Sequence, residues 1–306
     1  MPQTVRACVA TVLSMAVVAP VARTQSVLDH PPNVSGAWVI PAGRAQFNFQ
    51  HRFDASPPPV RKVTNFPTFL VAVGLPRQTT LGFNYSTNSL LTPAFPNEWE
   101  FFGRWRPLAQ ERGAALDLGG TLAYNLAAEG VDAELSAGRR FGRLALIGVV
   151  RTLTDPDTST DSRSLAFGGG ATLRLRHSLA LQGDFVTLTD LPTGGKGAWS
   201  AGFALGIPST PHTVSLYASN AVTSTLQGAS RGTDDVRYGF EFTVPLTPGR
   251  WFGSRAGAEG AERARIDAAG PVRTIVINRL TYLQPDIEIA AGTTVIWRNE
   301  DQLEHT

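Results

Sequence analysis

The feature that most constrains this chain is an alternation of apolar and polar residues that returns repeatedly between residues 44 and 246. In the stretch RAQFNFQHRF, for example, Phe47, Phe49 and His51 alternate with Asn48 and Gln50. Successive side chains of a β-strand point to opposite faces, so such a stretch predicts a strand with one apolar and one polar face. The chain carries about twelve of these segments, each close to the ~10 residues that a tilted membrane strand needs.

The connections between the predicted strands differ in length. Long connections fall around residues 54–67, 87–96, 154–163 and 222–234. Tight ones lie mostly between them, at Pro76–Gln78, Phe141–Gly142, Arg176–His177 and Pro208–Pro211, with a short exception near Ala127–Gly130. Outer-membrane barrels combine an even strand number with long outer loops and short periplasmic turns. This pattern predicts a barrel with both ends of its chain on the periplasmic side.

Alternation alone does not identify the face that meets lipid, because the strands of a soluble β-sandwich alternate too. Three features favour the membrane: an export signal, a strand number that is high for one soluble sheet system, and aromatic residues near strand ends. The aromatic residues are Trp99, Trp105, Tyr124, Trp199 and Tyr238. The predicted fold class is therefore all-β, an antiparallel transmembrane-type β-barrel of about 12 strands in the bacterial outer membrane. A secreted soluble β-protein acting as a binding module is the alternative.

The N-terminal 25 residues are predicted to be a signal peptide. Arg6 precedes an apolar run from Ala7 to Val18, and small residues with Pro20 follow. That run is shorter than the ~20 residues of a membrane helix, and no later stretch is one. Cys8, the only cysteine, lies inside this segment, so we expect the mature chain to have no disulfide and no cysteine metal ligand. The net charge of +2 gives no basic surface for nucleic acid.

The segment AWVIPAGRAQFNFQHRF, which ends in His51-Arg52-Phe53, resembles the first strand of a family of uncharacterised bacterial β-barrel proteins. The resemblance extends over residues 36–246 and implies the barrel architecture. It implies no activity. Outer-membrane lipid is the partner that such a barrel would have.

A second unit is predicted at the C-terminus. Residues 247–270 are rich in Gly, Ala and charge and read as a linker. In residues 271–306 we predict a strand at 272–278, a turn at Leu283–Pro285, a second strand starting at Ile287 and Ile289, and a third at Thr294–Trp297. With Tyr282 and Pro285, Ala291–Gly292, the VIWRNED run of residues 295–301 and His305–Thr306, this order resembles the first half of a plastocyanin-like (cupredoxin) domain. It implies a partial cupredoxin-like β-sandwich.

By that resemblance His305 matches the first copper ligand. A blue-copper site needs two His and one Cys, usually with a weak axial Met. Residues 1–306 cannot supply the others, so we expect the sequence to be a fragment, with copper as cofactor only if the chain continues beyond Thr306. The complete form would then bind copper and transfer electrons, with a periplasmic redox partner. A passive or solute-selective barrel with no copper role is the alternative.

Charged residues on the polar strand faces are the candidate lumen residues. They are Arg44, Glu98, Arg104, Arg106, Asp117, Asp132, Glu134, Arg174, Asp184, Arg237 and Glu241. They would line an ion-selective or substrate-binding pore. Alternatively, they would pair with one another inside a plugged lumen. Both interpretations stay open from the sequence.

The remaining sequence motifs give weaker evidence about function. DPDTSTDS (Asp155–Ser162) has acidic residues at the spacing of a calcium loop, but Thr160 and Ala166 replace the expected Gly and Glu, so a solvated outer loop is predicted. Gly168–Gly170 lies within a predicted strand, where glycine suits curvature or close lumen packing. Hydrolase, phosphate-loop and HExxH motifs are missing from the sequence, and we expect no enzymatic activity.

Overall fold

The computed structural model describes residues 27–91, 97–154, 163–191, 193–208, 210–248, 272–278, 281–282, 289 and 292–299. Twelve strands of 9 to 15 residues form the main body. They are β1 (Ala45–Ala55), β2 (Val63–Leu75), β3 (Thr79–Thr87), β4 (Asn97–Leu108), β5 (Asp117–Asn125), β6 (Gly130–Phe141), β7 (Leu144–Thr154), β8 (Arg163–Arg176), β9 (Leu179–Leu188), β10 (Ala198–Gly206), β11 (Thr213–Ala221) and β12 (Gly232–Leu246). Short 3₁₀ turns lie at Val27–Asp29, Gln110–Arg112 and Gly228–Ser230.

The twelve strands form a closed barrel in which each strand pairs with its neighbours in sequence. The barrel closes where β1 pairs antiparallel with β12, from Ala45 opposite Leu246 to Phe53 opposite Tyr238. Closure leaves no unpaired strand edge in the barrel. The predicted architecture of twelve antiparallel strands between residues 44 and 246 is confirmed.

The barrel is apolar outside and polar inside. Outward side chains such as Trp105, Leu122 and Tyr238 are 55%, 64% and 70% exposed, whereas the alternate inward positions bury polar and charged groups. A soluble sandwich has the opposite arrangement, with apolar faces in and polar faces out. Among the described residues, no helix is both long enough and apolar enough to cross a membrane.

The outer wall of β12 and β1–β4 is lined by aromatic rings. Phe49 lies 5.8 Å from Phe240 and 5.2 Å from Phe69, measured between ring centroids. Tyr85 continues the row and lies 4.6 Å from Trp99. His51 belongs to this outward face and contacts Phe53 and Phe240, so it is not a lumen residue.

The two ends of the barrel differ in their connections. Ala45 and Leu246 lie at one end, here called the terminal end, with the tight turns at Arg77–Gln78 and Gly142–Arg143. The connections at the opposite end include residues 56–62 and 222–231. The predicted division into short and long connections is therefore confirmed for these parts of the chain.

Residues 27–44 are here called the plug, and residues 28–40 of this segment lie inside the lumen. Val34 is fully buried and Ile40 nearly so, within an apolar cluster that includes Phe102 and Leu153 from the wall. The barrel domain was predicted from residue 36, and filling of the lumen by the preceding residues was not predicted.

Residues 222–231, here called the inserted loop, also fold into the lumen. The sequence pattern predicted a long outer loop here, and that interpretation is wrong for its position. Thr223, Thr225, Gln227 and Ser230 are fully buried. They can be buried because wall side chains satisfy their polar groups, as described below.

The C-terminal unit is described only in part. Strands β13 (Val272–Asn278), β14 (Thr281–Tyr282) and β15 (Thr294–Asn299) form a three-stranded sheet in the order β14-β13-β15. The predicted strands at 272–278 and 294–297 are present, but Ile289 lies outside a strand and β13 pairs instead with Thr281–Tyr282. A cupredoxin-like sandwich is not shown by these residues. The predicted signal peptide, most of the linker, the Asp155–Ser162 loop and His305 lie outside the described residues.

Candidate functional site in the lumen

Two buried arginines join the plug to the inserted loop. Arg52 of β1 donates to Val222 O at 3.0 Å, to Ser224 Oγ at 3.2 Å and to Asn33 Oδ1 at 3.4 Å. It is fully buried, with its guanidinium 5.9 Å from the centroid of the Tyr217 ring. Its strand therefore holds both lumen segments through one side chain.

Arg151 of β7 makes the second junction. Its Nε lies 2.8 Å from Glu134 Oε2 in a buried ion pair. Its Nη2 donates to Asn33 O at 2.8 Å, and its Nη1 donates to Ala229 O at 3.3 Å and Ser230 Oγ at 2.9 Å. A guanidinium presents five N–H donors in a fixed fork, which lets one residue satisfy several carbonyl groups at once.

The inserted loop is held by wall carboxylates. Glu98 accepts from Thr223 Oγ1 at 3.2 Å and also from Thr225 Oγ1. Glu100 accepts the backbone N–H of Leu226 at 2.6 Å.

Asp132 completes this set on β6. Its Oδ1 accepts from Gln227 Nε2 at 2.9 Å and from the backbone N–H of Thr154 at 2.7 Å. Three wall carboxyl groups therefore hold the inserted loop through hydrogen bonds to its hydroxyl, amide and backbone N–H groups.

The plug is held by its own set of contacts. The backbone N–H and the side-chain amide of Asn33 both donate to Asp184, each at 3.0 Å. Nearer the terminal end, Asp29 forms ion pairs with Arg140 and with Arg174, the latter at 2.6 Å. The plug is thus anchored at its deepest point and where it enters.

Inward glycines let the plug lie against the wall. A Cβ on Gly119 would lie 2.7 Å from Ala37 Cα, and one on Gly170 would lie 2.8 Å from Pro31 Cγ. Both distances are too short for a side chain. The interpretation of the Gly168–Gly170 run as close lumen packing is therefore confirmed at Gly170.

A cavity of about 90 Å³ remains between the plug, the inserted loop and the wall of β1–β5, β7 and β12. Most of the residues that line it are polar, and the apolar ones include Trp38 and Phe102. The ionisable groups on its wall are Glu100, Arg104, Arg151 and Glu241.

The structure places the predicted lumen residues as follows. Glu98, Arg106, Asp132, Glu134, Asp184, Arg237 and Glu241 are buried inside the barrel, and Arg44, Arg104, Asp117 and Arg174 are partly buried. Several pair as a plugged lumen requires: Arg106 with Glu111 at 2.5 Å, Arg174 with Asp29, and Glu134 with Arg151. Asp117 lies 3.7 Å from Arg106, while Arg44 donates to Thr247. As functional residues they stay predictions.

Sequence reasoning missed four central residues: Asn33, Arg52, Glu100 and Arg151. The period-two alternation contained the signal for the three that lie on strands, because each occupies the polar face of its strand. Asn33 lies on the plug, where no periodicity marks it.

Within the described part of the chain, no group of three or more His, Cys, Asp or Glu side chains is arranged to hold a metal ion. His305, the predicted copper ligand, is outside that part. The copper expectation is therefore untested by the geometry.

No protein-family model matches the sequence, and no curated protein matches it significantly. Several solved structures are similar to the chain. An outer membrane channel from Pseudomonas putida F1 matches at 11% identity and a TM-score of 0.41, over 69% of this chain and 98% of that one. The NanC porin matches at 10% identity and a TM-score of 0.42, over 66% of this chain and 98% of the porin chain. Omp33, an outer membrane protein of Acinetobacter baumannii, matches at 10% identity and a TM-score of 0.35, over 65% of this chain and 97% of the Omp33 chain. The similar structures are bacterial outer-membrane barrels, and matches at this level do not assign the chain to a family.

Proposed function

We propose that this protein is an outer-membrane β-barrel that admits small polar solutes through a lumen narrowed by the plug and the inserted loop. The observation that carries the proposal is the polar cavity between these two segments, inside a wall whose outward face is apolar. An apolar outer band suits lipid, and a polar interior suits solutes that lipid excludes. We propose no enzymatic role.

The orientation follows from the connections. Short turns face the periplasm in outer-membrane barrels, so we place the terminal end there and the opposite end outside the cell. The inserted loop then enters the lumen from outside and the plug from the periplasm. The C-terminal unit would be periplasmic.

Cysteine labelling tests this orientation. Val60 is 69% exposed in the connection at the opposite end, and Arg77 is exposed in a tight turn at the terminal end. The sequence has no cysteine after Cys8, so V60C and R77C each add one reporter thiol. A membrane-impermeant maleimide should label V60C in intact cells and R77C only after the outer membrane is permeabilised. The reverse labelling would contradict the orientation.

Conductance tests the channel. In planar bilayers we expect low conductance from the intact protein, because the plug and the inserted loop fill most of the lumen. Replacing residues 223–230 by two glycines should raise conductance several-fold. Replacing residues 57–61, which are mostly exposed at the same end of the barrel, is the matched control and should leave it unchanged. Equal conductance from all three proteins would refute the proposed role of the lumen.

Copper binding by the complete protein is a second proposal, for the C-terminal unit alone. It rests on the sequence pattern of residues 271–306. In the described part of this unit, strand β13 pairs in parallel with β15, from Val272 opposite Thr294 to Ile277 opposite Asn299.

Metal analysis tests the copper proposal. The protein expressed from the complete reading frame should bind about one copper per chain and show a strong blue absorbance. Expression of the full frame without either signal would exclude copper, and with it a periplasmic redox partner.

A further inference from the structure

We propose that the lumen cavity binds a small zwitterion, a solute of amino-acid size with one ammonium and one carboxylate group. This inference rests on the proposed function and deepens it by naming the class of solute. It depends on two observations: the size of the cavity and the charges on its wall.

The size of the cavity sets the size of the ligand. A buried water needs roughly 10–15 Å³ of such space, so a cavity of about 90 Å³ has room for about six waters. A solute with about the same number of non-hydrogen atoms fills it. Larger sugars or peptides do not fit without movement of the inserted loop.

The positive group for the ligand is Arg104. Its Nε donates to Thr121 Oγ1 at 3.0 Å and its Nη1 donates to Trp38 O at 3.1 Å. Both partners are neutral, and no carboxylate of the described residues lies within 4.0 Å of this guanidinium. Its remaining N–H groups suit a carboxylate, which a guanidinium binds with two parallel hydrogen bonds.

The negative group is Glu241. It accepts from Asn48 at 2.7 Å and from Gln50 at 3.3 Å, so neutral amides hold this carboxylate. It forms no ion pair with a described residue. By contrast, Arg151 on the same cavity is already paired with Glu134.

A zwitterion matches the charges of this wall better than a ligand that carries only one of its two charged groups. Burying an unpaired charge is costly, and a ligand with one charge leaves the opposite charge of the wall uncompensated. A neutral diol of similar size compensates neither charge. The wall thus selects for both charges on one small molecule.

Calorimetry on the purified full chain in detergent tests the inference with glycine as the probe. Acetate, methylammonium and ethylene glycol are the comparison ligands. We expect glycine to bind at least tenfold more tightly than each of them, because each lacks one or both charge-assisted contacts. If glycine binds no more tightly than the comparison ligands, the cavity holds only water and the inference is overturned.

Variants locate the site. R104Q should weaken glycine binding at least tenfold, R104K should weaken it less because the charge remains, and E241Q should act in the same direction as R104Q. R176Q removes an exposed arginine at the end of β8, outside the cavity, and should leave the affinity unchanged. Detergent-gel migration before and after boiling confirms that each variant is folded. If R104Q and R176Q bind glycine equally well, the cavity is not the site.

The zwitterion-site proposal and the channel proposal can be contradicted independently of each other. Binding is measured without a membrane, whereas glycine uptake into liposomes requires a path through the barrel. Binding without uptake would support the zwitterion site and contradict the channel. Conductance without glycine binding would support the channel and overturn the zwitterion site.

Discussion

The plug and the inserted loop fill the same lumen in different ways. The plug brings apolar side chains, Val34 and Ile40, into the cluster formed with Phe102 and Leu153. The inserted loop adds one residue to that cluster, Leu226. It also buries Val222 and Ala229, but most of its buried side chains are hydroxyls and amides.

The wall positions beside the two segments differ as well. The plug lies against positions where glycine has no side chain, as at Gly119. The inserted loop lies against wall positions with long carboxylates, such as Glu98 and Glu100. A barrel wall can therefore hold an internal segment either by making room for it or by hydrogen bonding to it, and substitutions can separate the two.

The largest loss of stability is expected from a change at Arg151, the residue that binds both the plug and the inserted loop. Replacing Arg151 by Met removes the hydrogen bonds to Asn33, Ala229 and Ser230 and leaves Glu134 buried without its cation. We expect a loss of about 3–5 kcal/mol in the free energy of unfolding, measured by urea titration in lipid vesicles. The double variant R151M/E134Q should recover part of the loss. If R151M alone is as stable as the wild type, Arg151 is not the junction of the two segments.

A change confined to the plug should cost less. In G119V the new side chain meets Ala37 of the plug, and we expect a loss of about 1–3 kcal/mol in the free energy of unfolding, together with higher conductance. Gly120 faces outward, and the nearest atom to a Cβ there is 4.0 Å away, so G120V is the matched control and should be neutral. Equal losses in both variants would mean that the effect comes from the strand and not from the plug.

A change confined to the inserted loop should be smaller again. T225V removes a buried hydroxyl that donates to Glu98 and accepts from the backbone N–H of Gly228 at 3.0 Å. We expect a loss of about 1–2 kcal/mol, because Glu98 keeps other donors. T187V makes the same replacement on the outer face of β9 and should not destabilise the protein. A neutral T225V would indicate that hydrogen bonding does not hold the loop.

The smallest effect is expected outside both segments. Lys196 and Asp234 form an ion pair at the surface, with side chains 53% and 81% exposed. Exposed pairs contribute little because water and salt screen them, so K196A should change the free energy of unfolding by less than about 0.5 kcal/mol. A larger loss would show that the neighbouring connection contributes to lumen packing.

The wall was predictable from the sequence because period-two alternation fixes which side chains share a face. RAQFNFQHRF shows this for β1, where His51 was correctly placed on the apolar face and Arg52 on the polar one. The strand number followed from the same pattern, and the tight turns predicted at Pro76–Gln78 and Phe141–Gly142 lie within one residue of the observed ones.

A plugged lumen was one of two interpretations left open by the sequence, but the segments that fill it were not predictable. Residues 222–231 have the polar composition of a solvated loop, and only the wall carboxylates make their burial favourable. Residues 27–44 have no periodicity, so nothing in the sequence links Asn33 to Asp184, which lies 151 positions away. Such contacts depend on the closed barrel, which brings distant residues to one lumen.

The pairing of β1 with β12 has a consequence for how the protein folds. These two strands are the farthest apart in sequence, so their contact carries the largest loop-closure cost and is expected to form late. The plug immediately precedes β1, and the inserted loop immediately precedes β12. Each strand of the closing seam therefore brings its own lumen segment with it. Closing the wall and filling the interior then become one cooperative step, and an assembly intermediate with an open seam would also have an empty, water-filled interior.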